Sequence, residues 1–180
     1  MQLEGFSYIP GFLAPPEQGV LLAQVQALAF VHDKFYGQLL KRRYAQFGSA
    51  YVSTGRKLLP APPLPDFLST LVEQAMVHCP GALIFDQCIV THYPVGAGIG
   101  WHTDAGRFGE TILAVSLAGQ AKLRLRPNGA TKHTHELIVA PGALYVLQGP
   151  SRWEYQHQVV PVKTVRYSLT FRHVTTERSQ

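Results

Sequence analysis

Cysteine is scarce in this sequence, and so are charged side chains. The 180 residues include two cysteines, Cys79 and Cys88, and neither has a neighbour at the spacing of a zinc cluster or a disulfide framework. Charged residues make up 15% of the chain and hydrophobic residues 46%, which is far from the composition of a disordered protein. These features exclude a disulfide-stapled domain and a disordered chain, and they favour a globular domain with an apolar core.

Long apolar runs are also missing. The most apolar stretch, residues 20–31, is interrupted by Gln24 and Gln26, and the N-terminal residues lack the charged and apolar regions of a signal peptide. We therefore expect a cytoplasmic protein that has no membrane partner. The length fits a single domain over residues 1–180, and we expect this domain to be a monomer.

The charge balance is basic, with a formal net charge of +5 at pH 7. A basic surface attracts polyanions, so nucleic acid is a candidate partner. Lys122, Arg124 and Arg126 alternate with Leu123 and Leu125, and a strand here would place its cations on one face. That face is either simply solvated or in contact with phosphates, and both interpretations stay open.

Hydrophobic spacing predicts helices in the first half and strands in the second. Pro15 and Pro16 precede apolar residues at helical spacing, and a second such segment runs from about Asp66 to His78. From about Phe85 onward, short runs rich in β-branched residues are separated by Gly, Pro and Asn. Strands are expected near 86–93, 99–103, 111–118, 121–126, 135–139, 143–148, 155–159 and 164–173. We expect a mainly β fold with flanking helices (α+β), in which a jelly-roll core has the N-terminal helices packed on one sheet.

A candidate metal site lies in the segment GIGWHTDAG. His102 and Asp104 are two residues apart, and on a strand this separation places both side chains on one face. Two histidines and one carboxylate form the facial triad of non-haem iron(II) oxygenases, which leaves positions open for cosubstrate and oxygen. His157 is the best third ligand, because it lies in an expected strand shortly before the last one. His133 and His135 are competitors, but their polar segment is typical of an exposed turn.

The last expected strand, VRYSLTFRHV, has one polar and one apolar face. Its polar face carries Arg166, Ser168, Thr170 and Arg172. Two arginines paired with two hydroxyls on one face indicate an anionic ligand, whereas a surface strand with ion pairs is the competing interpretation. A strand rises about 3.3 Å per residue, so the two arginines could reach opposite ends of a dicarboxylate but could not grip one carboxylate together.

Taken in order, these motifs resemble the AlkB-like branch of the 2-oxoglutarate oxygenases. The similarity covers about residues 84–174, the expected catalytic core, and consists of Y-x-x-G, H-x-D, a distant H and R-x-[NS]-x-T-x-R. The matching residues are Tyr93, Gly96, His102, Asp104, His157, Arg166, Ser168, Thr170 and Arg172. The resemblance implies a double-stranded β-helix that uses Fe(II), 2-oxoglutarate and O2.

The resemblance also implies a role for each motif residue. The metal ligands and catalytic centre would be His102, Asp104 and His157. Arg166 and Tyr93 would hold the distal carboxylate of 2-oxoglutarate, and Arg172 would hold the end near the metal. Thr91 and Ser168 stand where many members have asparagine, and both still offer a hydrogen-bonding oxygen for cosubstrate binding.

The same resemblance implies an oxidised substrate without identifying it, because family members act on DNA bases, RNA bases and in some cases proteins or other targets. The basic charge favours demethylation of alkylated nucleobases here, and aromatic side chains could stack on a base. These aromatic residues are Tyr44, Phe47, Tyr51 and Trp101. Residues 42–48 also resemble the stretch before the catalytic core in which substrate-facing elements lie.

Three alternatives are open. One is a 2-oxoglutarate oxygenase that acts on a protein or a small molecule. Another is a catalytically silent nucleic-acid-binding module, although the intact ligands and both arginines argue against it. A zinc hydrolase could use the same three ligands, but it would need a general base, for which Glu110 and Glu154 are the nearby candidates.

Overall fold

The computed structural model describes residues 2–35, 38–52, 57–79, 81 and 84–175. Helices α1 to α3 are Pro15–Gln26, Asp66–Met76 and Gly149–Trp153. Strands β1 to β13 are Phe6–Ile9, Val31–Phe35, Gln38–Phe47, Ser49–Val52, Lys57–Pro60, Gln87–Tyr93, Ile99–His102, Ile112–Ala118, Ala121–Pro127, His135–Val139, Leu144–Leu147, Tyr155–Val159 and Arg166–Arg172. The expectation of a mainly β protein with early helices is confirmed.

Two sheets form the body of the fold. The larger sheet has the strand order β1-β11-β8-β13-β6-β3-β2, the smaller sheet has the order β10-β9-β12-β7, and β4 pairs with β5 in a separate hairpin. From β8 onward the chain passes from one sheet to the other several times, through antiparallel pairs. This alternation gives the double-stranded β-helix that the resemblance implied.

The two early helices cover the outer face of the larger sheet. Leu21 and Val25 of α1 and Leu71 of α2 share one hydrophobic cluster with Leu169 and Phe171 of β13. Helix α1 begins at Pro15, where a missing backbone N–H costs nothing, and the N–H of Ala14 donates to the Glu17 carboxylate at 2.7 Å. The apolar face predicted for the last strand is therefore the face that packs against the helices.

A second hydrophobic cluster fills the space between the sheets. Leu123 and Leu125 of β9 are buried there with Ala114, Tyr145 and Leu147 of the larger sheet. Because side chains alternate along β13, the residues that do not face the helices face this intersheet space. The polar face of β13 therefore points between the sheets, where a ligand can be enclosed.

All eight expected strands are present, and the main differences lie outside them. Strands β1 to β5 and the short helix α3 were not expected from the sequence. Helix α2 ends at Met76, before the expected His78, and Val20 of α1 is 66% exposed, so it lies off the buried stripe. Among the described residues, the helices are too short and too polar to cross a bilayer.

The glycines before the predicted metal site serve two different purposes. Gly96 has a φ of +78°, a left-handed conformation that favours glycine in a turn. Gly98 lies so close to β12 that an added Cβ would approach the carbonyl oxygen of Val159 to 2.6 Å. This close backbone approach at Gly98 allows β7 to lie beside β12.

Candidate active site

The structure brings the three predicted metal ligands together. His102 at the end of β7 is the register partner of His157 on β12, and their ring centroids are 4.2 Å apart. The Nε2 atom of His157 lies 3.6 Å from the Oδ2 atom of Asp104. One possible ligand atom from each of the three residues lies within 4.8 Å of the others, which is compatible with binding to a single ion.

One detail of the sequence prediction was wrong. Asp104 is not on the same strand as His102, because β7 ends at His102 and Asp104 lies in the loop that follows. The two-residue alternation of a strand therefore does not orient the Asp104 carboxylate. Its position depends on contacts made by the loop.

Electrostatics keep the triad in the protonation states that a metal requires. Burial, followed by the nearby His102, lowers the pKa of His157 to about 3. Burial also lowers the pKa of His102, whose Nδ1 atom is 2.9 Å from the carbonyl oxygen of Gly100. When Nδ1 donates to that carbonyl, the Nε2 lone pair is free for a metal. Both imidazoles are consequently neutral near pH 7.

Asp104 stays ionised although it is buried. Burial alone would raise the pKa of Asp104, but nearby cationic groups, of which the Arg172 guanidinium acts most strongly, outweigh it and hold that pKa well below its usual value. The Nη2 atom of Arg172 is 2.9 Å from the Oδ1 atom of Asp104. Arg172 thus lies directly beside the triad, at the end of β13 where the sequence predicted the metal-proximal arginine.

Arg166 is a buried cation at the opposite end of the same strand face. It is only 1% exposed, its Nε donates to the Ser116 hydroxyl at 2.9 Å, and its Nη2 lies 3.4 Å from the Ser168 hydroxyl. Its guanidinium lies 5.2 Å from the ring centroid of Tyr93. Among the described residues no carboxylate forms an ion pair with Arg166, and its buried Nη1 atom has no hydrogen-bond partner. A buried charge in this state calls for an anionic ligand.

A cavity of about 500 Å³ lies against the triad and part of the polar face of β13. Its wall includes the three triad residues together with Thr91, Tyr93 and Ser168. Thr91 is the register partner of Ser168, and Tyr93 is the register partner of Arg166. The donor set fits Fe(II), and the cavity, the unpaired Arg166 and the metal-proximal Arg172 fit a short dicarboxylate such as 2-oxoglutarate.

Of the four aromatic residues expected to face a substrate, three line the cavity and one lies in the hydrophobic core. Tyr44, Tyr51 and Trp101 line the cavity, whereas Phe47 is buried in the cluster under the helices. Phe47 is therefore a core residue, because the alternation of β3 turns it toward the helices and Tyr44 toward the cavity.

The basic stripe on β9 is partly neutralised by one carboxylate. Leu123 and Leu125 are buried, which confirms the predicted alternation, but Lys122 and Arg124 lie 2.8 Å and 2.7 Å from the Glu136 carboxylate. The same two cations lower the pKa of Glu136 to about 2. The third member of the stripe, Arg126, donates to Gln156 and lies 4.3 Å above the ring of Trp101.

The competing metal ligands and the zinc-hydrolase base lie elsewhere. His133 is 3.7 Å from Glu136 on the surface, and His135 packs its ring against Tyr155. Glu110 and Glu154 are exposed and do not line the cavity, where Asp104 is the only carboxylate among the described residues. The described cavity therefore offers a hydrolase no general base.

Sequence reasoning missed two side chains that contribute to the site. Ser116 on β8 bonds Arg166, but a serine in an apolar strand carries no signal that distinguishes it. Arg152 bonds the loop that holds Asp104, and it precedes His157 in a segment where no element was predicted. Its burial is the informative property, and burial of a lone arginine is not visible in a sequence.

Comparisons with known proteins agree with this geometry. Residues 5–172 match the model of the 2OG-Fe(II) oxygenase superfamily. The chain is 25% identical over 189 residues to the uncharacterized protein L905 of Acanthamoeba polyphaga mimivirus, covering 98% of this chain and 88% of that protein. It is 30% identical over 88 residues to the mitochondrial alpha-ketoglutarate-dependent dioxygenase alkB homolog 7 of Bos taurus, covering 48% of this chain and 40% of that protein.

Solved structures show the same fold. The structure of OsALKBH1 superposes with a TM-score of 0.82 at 18% identity, covering 96% of this chain and 98% of that chain. A prolyl-4-hydroxylase from Pseudomonas putida superposes with a TM-score of 0.65 at 16% identity, covering 95% and 93%. The similarity to AlkB-like proteins that the motifs predicted is therefore confirmed.

Proposed function

Because this chain belongs to the 2OG-Fe(II) oxygenase superfamily, we propose that it demethylates alkylated nucleobases in DNA or RNA. The chain is an Fe(II)- and 2-oxoglutarate-dependent dioxygenase with an intact facial triad. The substrate is the part that we propose.

The bound iron and cosubstrate supply one oxidation by O2. In this reaction 2-oxoglutarate becomes succinate and CO2, and a methyl C–H bond of the substrate becomes C–OH. On an N-methyl group, the hydroxylated carbon then leaves as formaldehyde. In this proposal His102, Asp104 and His157 would hold the ion and leave coordination positions for the cosubstrate and O2. Arg166 and Tyr93 bind the distal carboxylate of 2-oxoglutarate, whose orientation is completed by Thr91, Ser168 and Arg172.

The observation that carries the nucleobase proposal is the set of aromatic and basic residues that β3 and β4 add to the cavity wall. Tyr44 and Tyr51 present aromatic rings in the same cavity as the triad, and Arg42 lines it beside them. Tyr51 is held in place because its backbone N–H and carbonyl both bond the Gln46 amide, at 2.8 and 3.3 Å. Aromatic rings bind an unstacked base of any sequence, and an arginine beside them binds its phosphate.

A peptide or small-molecule substrate is the second candidate. The observation that favours it is the ion pairing of Lys122 and Arg124 with Glu136, because the single Glu136 carboxylate offsets one of their two positive charges and so weakens the attraction of this surface for phosphates. On the nucleobase proposal, we assign the phosphate contact to Arg42, which lines the cavity, and not to the β9 stripe, whose basic residues do not line it.

Incubation with Fe(II), 2-oxoglutarate and a panel of methylated DNA and RNA oligonucleotides is expected to release formaldehyde from at least one substrate. Unmethylated oligonucleotides of the same sequence are the control, because they have the same charge but no methyl group to lose. If the whole panel yields no formaldehyde while a peptide or small molecule increases succinate formation, the nucleobase proposal is wrong.

Arg42→Gln is expected to weaken oligonucleotide binding. It should also make the negative slope of the log binding constant against log salt concentration less steep by about 0.9, the change for one lost phosphate contact on a duplex. Arg124→Gln is the matched control, because it changes the net charge equally but removes a cation already paired with Glu136. Fluorescence anisotropy at several salt concentrations measures both variants. Equal slopes for Arg42→Gln and the wild type would contradict the assignment.

A further inference from the structure

Arg152 is a buried cation that uses its hydrogen bonds on backbone carbonyls. It lies on α3, is 3% exposed, and stacks 4.1 Å above the ring of Trp153. Its Nη1 donates to the carbonyl of Asp104 at 3.1 Å, and its Nη2 donates to those of Ala105 at 2.9 Å and Phe108 at 3.4 Å. Among the described residues, no carboxylate forms an ion pair with it.

The loop bound by Arg152 has no sheet of its own to hold it. Strand β7 ends at His102, so Asp104 is fixed by loop contacts and by the partners of its carboxylate. A guanidinium carries several N–H donors in a fixed planar arrangement, so it can hold several carbonyls at once. A lysine ammonium group has no such fixed arrangement. The backbone at Asp104, Ala105 and Phe108 is therefore held at its carbonyls by a single side chain.

The same loop also forms part of the cavity wall through Phe108. The Phe108 side chain is fully buried, its ring lies 4.3 Å from the Arg172 guanidinium, and its centroid is 5.2 Å from that of Tyr51. The three carbonyl bonds of Arg152 thus hold a metal ligand and a wall residue in one unit.

Helix α3 is itself tied to the start of the chain. The Ser151 hydroxyl donates to the carbonyl of Gly5 at 2.8 Å, and the Ser151 backbone N–H donates to that of Glu4 at 3.2 Å. Trp153 donates through Nε1 to the Glu110 carboxylate at 2.8 Å, which joins α3 to the far end of the same loop. Arg152 is therefore anchored at its base as well as at its guanidinium.

We infer that Arg152 is a positioning residue for the metal centre, which fixes the Asp104 carboxylate through the backbone without touching the ion. Outer groups that orient metal ligands change metal affinity by about 10- to 100-fold when they are replaced. This role rests on the iron chemistry of the family and is independent of which substrate the enzyme oxidises.

The test is the affinity of the full chain for Mn(II), measured from the electron paramagnetic resonance signal of the free ion, without substrate or turnover. Arg152→Lys keeps the positive charge but loses the planar set of N–H donors, and it is expected to weaken Mn(II) binding about tenfold or more. Arg43→Lys is the matched control, because Arg43 bonds His92 at 3.0 Å on the outer face of the sheet. Its affinity is expected to stay at the wild-type value.

Thermal unfolding with and without Mn(II) separates positioning from simple stability. A purely structural arginine would lower the melting temperature of the metal-free protein and leave the Mn(II)-induced shift unchanged, and that result would overturn the inference. If Arg152→Lys does not fold, Ser151→Ala decides, since it loosens the same helix by removing the contacts of the Ser151 hydroxyl with Gly5 and Gln148. A weakened Mn(II) affinity in Ser151→Ala supports the inference, and an unchanged affinity contradicts it.

Discussion

Replacing His102 or Asp104 with alanine is expected to abolish 2-oxoglutarate-dependent succinate formation and to leave the fold intact. Each substitution removes one of three ligand atoms that lie within 4.8 Å of one another, and the two ligands left do not form a facial triad. Succinate formation measures the loss, and circular dichroism checks the fold. His102→Ala is the cleaner variant, because Asp104→Ala also leaves the buried Arg172 guanidinium without its carboxylate partner.

His133→Ala is the matched control for this experiment. His133 was a competing ligand in the sequence, but it lies on the surface beside Glu136. We expect its succinate formation to equal that of the wild type. If His102→Ala retained wild-type succinate formation, the assignment of the metal ligands would be wrong.

Arg166→Met is expected to remove 2-oxoglutarate binding while leaving the protein folded. Loss of one partner of a buried, hydrogen-bonded charge pair costs about 2 to 5 kcal/mol, so the KM for 2-oxoglutarate should rise by at least about thirtyfold. The size of the effect follows from the burial of Arg166 and from its lack of a carboxylate partner among the described residues. Steady-state succinate formation over a range of 2-oxoglutarate concentrations gives the KM.

The stability of Arg166→Met distinguishes a ligand-binding arginine from a structural one. Without 2-oxoglutarate the variant is expected to be at least as stable as the wild type, because a neutral side chain replaces a buried cation that no protein carboxylate neutralises. Added Mn(II) and 2-oxoglutarate should then stabilise the wild type more than the variant. Arg124→Met, whose arginine pairs with Glu136 on the surface, is the control and should bind 2-oxoglutarate normally. A normal KM in Arg166→Met would contradict the proposed role.

The sequence was sufficient to predict the core strands and the chemistry of the site. Strand β13 has two distinct faces, because one packs against the helices and the other faces a polar cavity, so its alternation is visible in the residues themselves. Metal binding restricts residue types so strongly that His102, Asp104 and His157 could be selected from eight histidines and eleven acidic residues.

The parts that could not be predicted lack such a pattern. Strand β3 lines the cavity with Arg42, Tyr44 and Gln46 on one face and carries Arg43 on the other, so polar residues occur on both faces. Helix α3 has only five residues, which is too short for a helical period to appear. The Asp104 side chain was expected to share a strand face with His102 because the two-residue spacing fits a strand, although a loop held by Arg152 places it instead.

The central claim is that one Fe(II) ion and 2-oxoglutarate bind together at the triad. An anaerobic titration followed by visible absorbance tests it, because a 2-oxo acid chelated to Fe(II) gives a charge-transfer band that neither component gives alone. We predict that the wild type develops this band at one iron per chain and that His157→Ala does not. A wild-type protein that shows no band with both components present, or an equal band in His157→Ala, would contradict the claim.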